Sequence, residues 1–350
     1  MVKIDISSIF LLGFEIAQNQ KVFVGTFLSR PSLLKQADGP NKLRPMKKRS
    51  SHEYSIGDYA IIGNCETAAL INPDGGIDWL CLPAFDSPSV FGALLDREKG
   101  GEFFIRPGCD YRVEREYVED SAILKTRFLT EKGTVQLIDF FVIARKRKAR
   151  FYDFTSLYPM RKLVRILKLE SGNSVPIELM LDARAEYGRY RVAWTRVSNS
   201  PIEYSSPTAT FYANFPVEEV ADQLTGHFLA DGNQTYFSVL DYGSEQHPPD
   251  LEEINRWLQV TNSYWREWNL FNYYRGPYQK IIRRSAVTLK LLTYASTGRS
   301  SPRPQHHFRK ESVAIRTGIT VISGSVTRRF LSTRCSVWVI PERLKLFSTL

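Results

Sequence analysis

A mainly β fold, a large antiparallel β-sandwich followed by two amphipathic helices, is predicted by three features of this 350-residue sequence. Runs alternating apolar and polar residues recur from Tyr54 to about Tyr242, the period of a half-buried strand. Turn signals rich in Gly, Asp and Asn punctuate these runs, and many short strands with regular turns point to a sandwich. Near Pro248-Pro249-Asp250 the period changes to three and four, which is helical.

Residues 1–53 end in the polar, basic stretch Asn41–Ser51, read as a solvated extension, poorly ordered. Residues 54–249 form the sandwich. Thr67–Asn72 is a strand, Pro73-Asp74-Gly75-Gly76 a turn, and Ile77–Pro83 the returning strand, because glycine supplies positive φ without steric cost. Lys132-Gly133, Ser171-Gly172-Asn173 and Asp231-Gly232-Asn233 mark further turns, among strands such as Thr134–Phe141 and Leu163–Leu169. The basic run Arg145–Arg150 reads as a solvated loop. Residues 250–298 are helical. Asp250 is the N-cap of a helix striped by Leu251, Ile254, Trp257, Leu258, Thr261, Trp265 and Trp268. A second helix opens at Gly276-Pro277 and runs to about Tyr294. Its stripe is Tyr278, Ile281, Ile282, Ala286, Leu289 and Leu292, with Lys280, Arg283, Arg284 and Lys290 on other faces. From Arg299 to Leu350 no period of either kind is sustained.

The net charge of +10 suggests an anionic partner until it is located. Residues 1–53 hold 9 Lys and Arg against 4 Asp and Glu, residues 299–350 hold 10 against 2, and residues 54–298 hold 28 against 31. The body is mildly acidic, so a nucleic-acid partner is not expected. Cys65, Cys81, Cys109 and Cys335 show no C-x-x-C spacing and read as reduced thiols. His306-His307 has no second ligand cluster, so no metal or other cofactor is expected. The apolar run Ile6–Phe14 is far shorter than a membrane span and lacks signal-peptide flanks, which excludes a membrane partner and makes cytoplasmic residence the expectation. Oligomeric state is not legible.

Three blocks carry a resemblance. They are IGDYAIIGNCETAALI at Ile56–Ile71, DGGIDWLCLP at Asp74–Pro83 and FDSPSVF at Phe85–Phe91. Together they resemble the opening of glucoamylase-like and trehalase-like enzymes of glycoside hydrolase family fifteen. The likeness resumes at Trp265-Arg-Glu-Trp268 and Tyr274-Arg-Gly-Pro277, and ends with Arg284–Gly298. It implies a supersandwich-like N-terminal domain, linker helices and a catalytic barrel of paired helices, of which the helix from Pro277 is the first. It also implies a parent enzyme that hydrolyses α-glucosidic bonds, in α-glucan oligosaccharides or trehalose, with inversion.

In the family the chain continues A-I-V-A-A-P-T-T-S-L-P-E, then N-W-D-Y-R-Y-x-W-L-R-D-A, with both catalytic glutamates later. None of this is legible here. A permitted choice of codons for Arg299–Glu311, regrouped behind one added G, reads A-I-V-A-A-P-T-T-S-L-P-E, and from Ser312 the second block is permitted as well. The expectation is a one-base loss near Gly298, which leaves an incomplete barrel, an out-of-frame tail and an inactive fragment.

Inverting glycosidases need two carboxyl groups roughly 6.5–9.5 Å apart. Asp78, Asp86, Asp182 and Glu186 are carboxyl candidates, and none is assigned to catalysis. Asp78 and Asp86 sit where carboxylates satisfy backbone donors, while Asp182 and Glu186 read as surface or sheet-edge charges. Asp78, Trp79, Phe85 and Asp86 are the candidates for contacts to the barrel and for the rim of its sugar pocket; packing in the core competes for Trp79 and Phe85. The tryptophan stripe of the first helix reads as core, partly exposed where a barrel is lacking. Alternatives remain open: a stand-alone carbohydrate-binding or interaction module, a nucleic-acid binder through the basic ends, or a folding-defective remnant.

Overall fold

The computed structural model describes residues 54–145, 157–243 and 247–293. The N-terminal extension, most of the basic run Arg145–Arg150, the tail from Arg299, Cys335 and His306-His307 lie outside the described residues. Two eight-stranded antiparallel sheets face each other. The first runs β1 (Ala60–Gly63), β2 (Ala68–Ile71), β3 (Gly76–Cys81), β5 (Phe103–Pro107), β10 (Ser174–Leu181), β17 (Gln223–Asp231) and β16 (Glu218–Val220), with β4 (Ser89–Phe91) also on β3. The second runs β13 (Thr195–Asn199), β14 (Ile202–Ser205), β15 (Thr210–Ala213), β18 (Tyr236–Asp241), β9 (Leu157–Gly172), β8 (Gly133–Arg145), β7 (Leu124–Thr130) and β6 (Tyr111–Tyr117). A small hairpin, β11 (Arg184–Ala185) with β12 (Tyr190–Arg191), stands apart. The sandwich expectation holds; of the predicted turn glycines, Gly75, Gly133 and Gly172 have positive φ, whereas Gly76 and Gly232 do not.

Strand β8 shows why the sequence folds this way. Its residues alternate, so Val135, Leu137 and Phe141 enter the core between the sheets. Ile138, Phe140 and Val142 point the other way, into a second cluster with Ile254 and Trp257. Both faces are covered, which explains the nearly continuous apolar run in this strand.

The cover on the second face is helix α1 (Leu251–Leu270), capped as predicted by Asp250 Oδ1, which accepts from Glu253 N at 2.7 Å. Ile254, Trp257, Thr261, Tyr264, Trp265 and Asn269 are buried. Trp257 packs on the sandwich and Trp265 in a cluster shared by the first sheet and the second helix, as the core reading expects, while Leu251 is exposed and Leu258 and Trp268 are half-buried, so part of the stripe is open. Thr261 Oγ1 accepts from Ile143 N at 3.1 Å and fixes the helix to the strand.

Helix α2 (Gln279–Leu291) bears out Ala286 and Leu292 of its predicted stripe and corrects the rest. The buried residues are Ala286, Val287 and Leu291, whereas Tyr278 and Leu289 are 56% exposed. Arg283 and Arg284 turn inward. Arg283 pairs with Asp120 at 2.9 Å, and Arg284 donates to Ser121 O at 2.7 Å while lying over the Tyr117 ring at 3.5 Å. The physical reason is that Asp120 and Ser121 at the β6–β7 turn offer acceptors to guanidinium groups, which therefore need no water.

An ion pair lies buried in the core. Arg165 of β9 and Asp139 of β8 are opposite one another, both fully buried, with Nε to Oδ1 at 2.8 Å. The remaining guanidinium donors reach the first sheet, at Phe103 O (2.8 Å) and Gly75 O. One side chain thus ties both sheets, and losing one partner of such a pair costs about 3–5 kcal/mol.

Candidate functional site

The predicted residues come from β3 and the loop after it. Leu70 pairs with Trp79 and Ile71 with Ile77, so Asp78 is the extra residue of a β-bulge. A bulge re-aims the side chain it carries. Asp78 is fully buried and accepts from Tyr59 Oη at 2.6 Å, Asn72 Nδ2 at 2.8 Å and Arg97 Nη2 at 3.2 Å. Its expected role as a backbone cap is corrected, because these donors are all side chains. Burial raises the Asp78 carboxyl above its ordinary range, and the bonds from Tyr59 and Asn72 and the charge of Arg97 pull it back. The Tyr59 hydroxyl is raised by burial and by its bond to Asp78.

Trp79 and Phe85 are buried, in a cluster with Tyr59, Tyr264, Trp265, Val287 and Leu291. They join the first sheet to both helices. Phe85 N donates to Glu66 O at 2.9 Å, which holds the loop on the β1–β2 turn. Asp86 is exposed at the loop tip. The structure therefore brings Trp79 and Phe85 together with the helices, places Asp78 beside them in its own polar knot, and leaves Asp86 to solvent.

Asp182 is buried, not a surface charge; it accepts a hydrogen bond from Arg184 at 2.6 Å and forms an ion pair with Arg191 at 3.7 Å. These arginines explain the correction, since a buried carboxylate survives when cations accompany it. Glu186 is exposed, as predicted, at the tip of the β11–β12 hairpin. Sequence reasoning missed Arg97, Tyr59 and Glu102. Glu102 is partly buried, and its carboxyl is raised first by burial and then by the charge of Asp78. No local motif points to it; only the pairing of β3 with β5 brings it close.

The β11–β12 hairpin is a neighbour of this region in the fold. It packs against β4, which follows the Asp86 loop. A Cβ on Gly188 would lie 2.7 Å from Lys99 O, and one on Gly101 2.2 Å from Asp182 O, so both contacts require glycine. A separate shallow pocket, lined by Lys168, Asn214, Asn233, Gln234 and Thr235, contains none of the predicted residues. Among the described residues no group of three or more His, Cys, Asp or Glu is placed to hold a metal ion. No helix there is long and apolar enough to cross a membrane. Asp78 and Asp182 are committed to arginines.

Residues 49–199 match the family described as trehalase-like, N-terminal. The chain carries a trehalase-like N-terminal domain. The trehalase of Mycobacterium tuberculosis is 30% identical over 267 residues, covering 69% of this chain and 38% of that protein. The trehalase of Mycolicibacterium smegmatis is 29% identical over 265 residues, covering 69% and 39%. That of Thermoplasma volcanium is 29% identical over 248 residues, covering 69% and 38%. The chain thus spans about two fifths of the length of the curated relatives it matches. Asp78, Trp79, Phe85 and Asp86 all fall within the part matched to the trehalase-like domain.

Proposed function

We propose that the trehalase-like domain belongs to a parent protein that hydrolyses an α-glucosidic bond with inversion, in trehalose or a related glucoside, and that this chain alone is inactive. The supporting observation is the facing of α2. Its inner side anchors on the sandwich through Arg283, Arg284, Val287 and Leu291. Its outer side carries Tyr278 and Leu289 in water, with Ile281 and Ile282 partly covered. An apolar stripe turned outward on a helix so firmly anchored is a seat for further structure. The occupant we assign is the helical barrel that would follow Gly298, where the reading frame is lost.

On this reading the four domains are a basic extension (1–53), the sandwich (54–249), the linker and first barrel helix (250–298) and an out-of-frame tail (299–350). Asp78, Trp79, Phe85 and Asp86 line the junction toward the barrel. Asp78 and its bulge fix the strand, Trp79 and Phe85 pack the helices, and Asp86 is the member left for contact with sugar. The nucleotide sequence across the codons for Thr297–Ser312 tests the frame. One added base is expected to restore A-P-T-T-S and then W-L-R-D. Absence of these blocks from all three frames refutes the frameshift, and the sandwich as a carbohydrate-binding module then takes its place.

A further inference from the structure

A sheet that does not close into a barrel ends in strands whose outer backbone groups are unpaired, and each end is a template for another chain unless something blunts it. Three of the four ends of the two large sheets are blunted. At β1, the Tyr117 hydroxyl accepts from Ile61 N at 2.9 Å and donates to Ile61 O at 3.0 Å. Strand β16 is three residues long and carries Glu218 and Glu219. Strand β13 is broken by a bulge between Arg196 and Ser198. The fourth end, β6, has seven residues, no proline and no register shift against β7.

The open backbone groups of β6 follow from its pairing. Val118 continues the register opposite Ile123, and its N–H donates to Ile123 O at 2.9 Å. Hydrogen-bonded pairs alternate along an antiparallel ladder, so Arg112, Glu114 and Glu116 bond to β7. Tyr111, Val113, Arg115 and Tyr117 turn their N–H and C=O groups to the open edge, where none meets a partner among the described residues. Side chains alternate as well. Those of Arg115 and Tyr117 are tied to the first sheet and its lead-in, at Asp58 O, Ile71 O and Ile61, which holds the edge in place. Those of Arg112, Glu114 and Glu116 are exposed on the other face.

We propose that β6 is a dimerisation edge, on which a second copy of this chain pairs antiparallel about a two-fold axis at Val113. In this register Val113 bonds its own copy, and Tyr111 pairs with Arg115 through backbone groups already turned outward. Arg112 of each copy then faces Glu114 of the other in a non-hydrogen-bonded pair, where side chains come closest. The strand is thus complementary in charge to itself. The neighbouring register, centred on Glu114, sets that carboxylate against its own copy. The Val113 register moves its like-charged pair, Asp110 with Glu116, to the two ends, where solvent and salt screen it. Each copy offers one such edge, so the assembly closes at two chains.

The test is sedimentation of the full chain over a wide range of concentration. The wild type is expected to dimerise. Val113→Pro removes an N–H that β7 does not use, so it should abolish the dimer and keep the melting temperature, since proline is tolerated on an edge strand. Arg112→Glu and Glu114→Lys each set like charges opposite one another and should each weaken the dimer at least about tenfold. Mixed together, the two charge variants restore opposite charges at both contacts, and a heterodimer of wild-type strength is expected. A wild type that stays monomeric overturns the proposal. So does a dimer that survives the charge reversals in folded chains, as it would if the outer face of α2 held the copies together. So does a mixture that associates no better than its components. Should Val113→Pro fail to fold, the surface charge variants decide alone.

Discussion

Glu102 has a carboxyl raised by its surroundings. Asp78 has three side-chain donors around it, whereas the carboxyl of Glu102, raised by burial and by the Asp78 charge and pulled back by Arg106 and Arg97, accepts no hydrogen bond among the described residues. Its carboxyl therefore binds its proton more tightly in the folded chain than in the unfolded one, where the ordinary value is about 4.3. Stability from this group is fully present below that value and falls as pH rises through the raised folded value. Glu102→Gln should leave stability at pH 4 unchanged and raise it at pH 7, measured by urea unfolding of the full chain. A variant less stable than wild type at pH 7 contradicts this, because it would mean that the ionised carboxylate is bonded. Asp78 and Phe85 were legible as distinctive residues in the sequence. Arg97 and Glu102 were not, because their meaning depends on which strands pair.

Among the elements, the hairpins reveal how far turn chemistry governs this fold. Val220 pairs with Gln223, so β16 and β17 are joined by the two residues Ala221 (φ 54°) and Asp222 (φ 61°). Both are left-handed, the type I′ geometry that favours Asn-Gly. Ala221→Asn with Asp222→Gly is expected to stabilise the chain by about 1 kcal/mol, in the range for relieving left-handed backbone. A thermal melt checks it, and an unchanged or lower melting temperature counts against the turn assignment. The Asp74-Gly75 turn and the Asp250 cap were readable because their chemistry is local. The facing of α2 was not. Its apolar stripe has the right period, but period alone does not say which way a helix turns when arginines find buried acceptors on the sandwich.

For the whole molecule, the sandwich buries its own core, α1 closes the outer face of the second sheet, and α2 presents apolar residues to the outside. The architecture was legible because strand period and turn spacing repeat many times over. The chemistry was not, since the relatives are more than twice as long as the part they share with this chain. Trehalose hydrolysis decides the central claim. The chain as it stands and a version with the reading frame restored after Gly298 would each be incubated with trehalose, and released glucose measured with its anomeric form. The account predicts none from the chain as it stands, and glucose from the restored protein, half of it β on first appearance, as inversion requires. Glucose released equally by both, or by neither when the restored protein is folded, contradicts it.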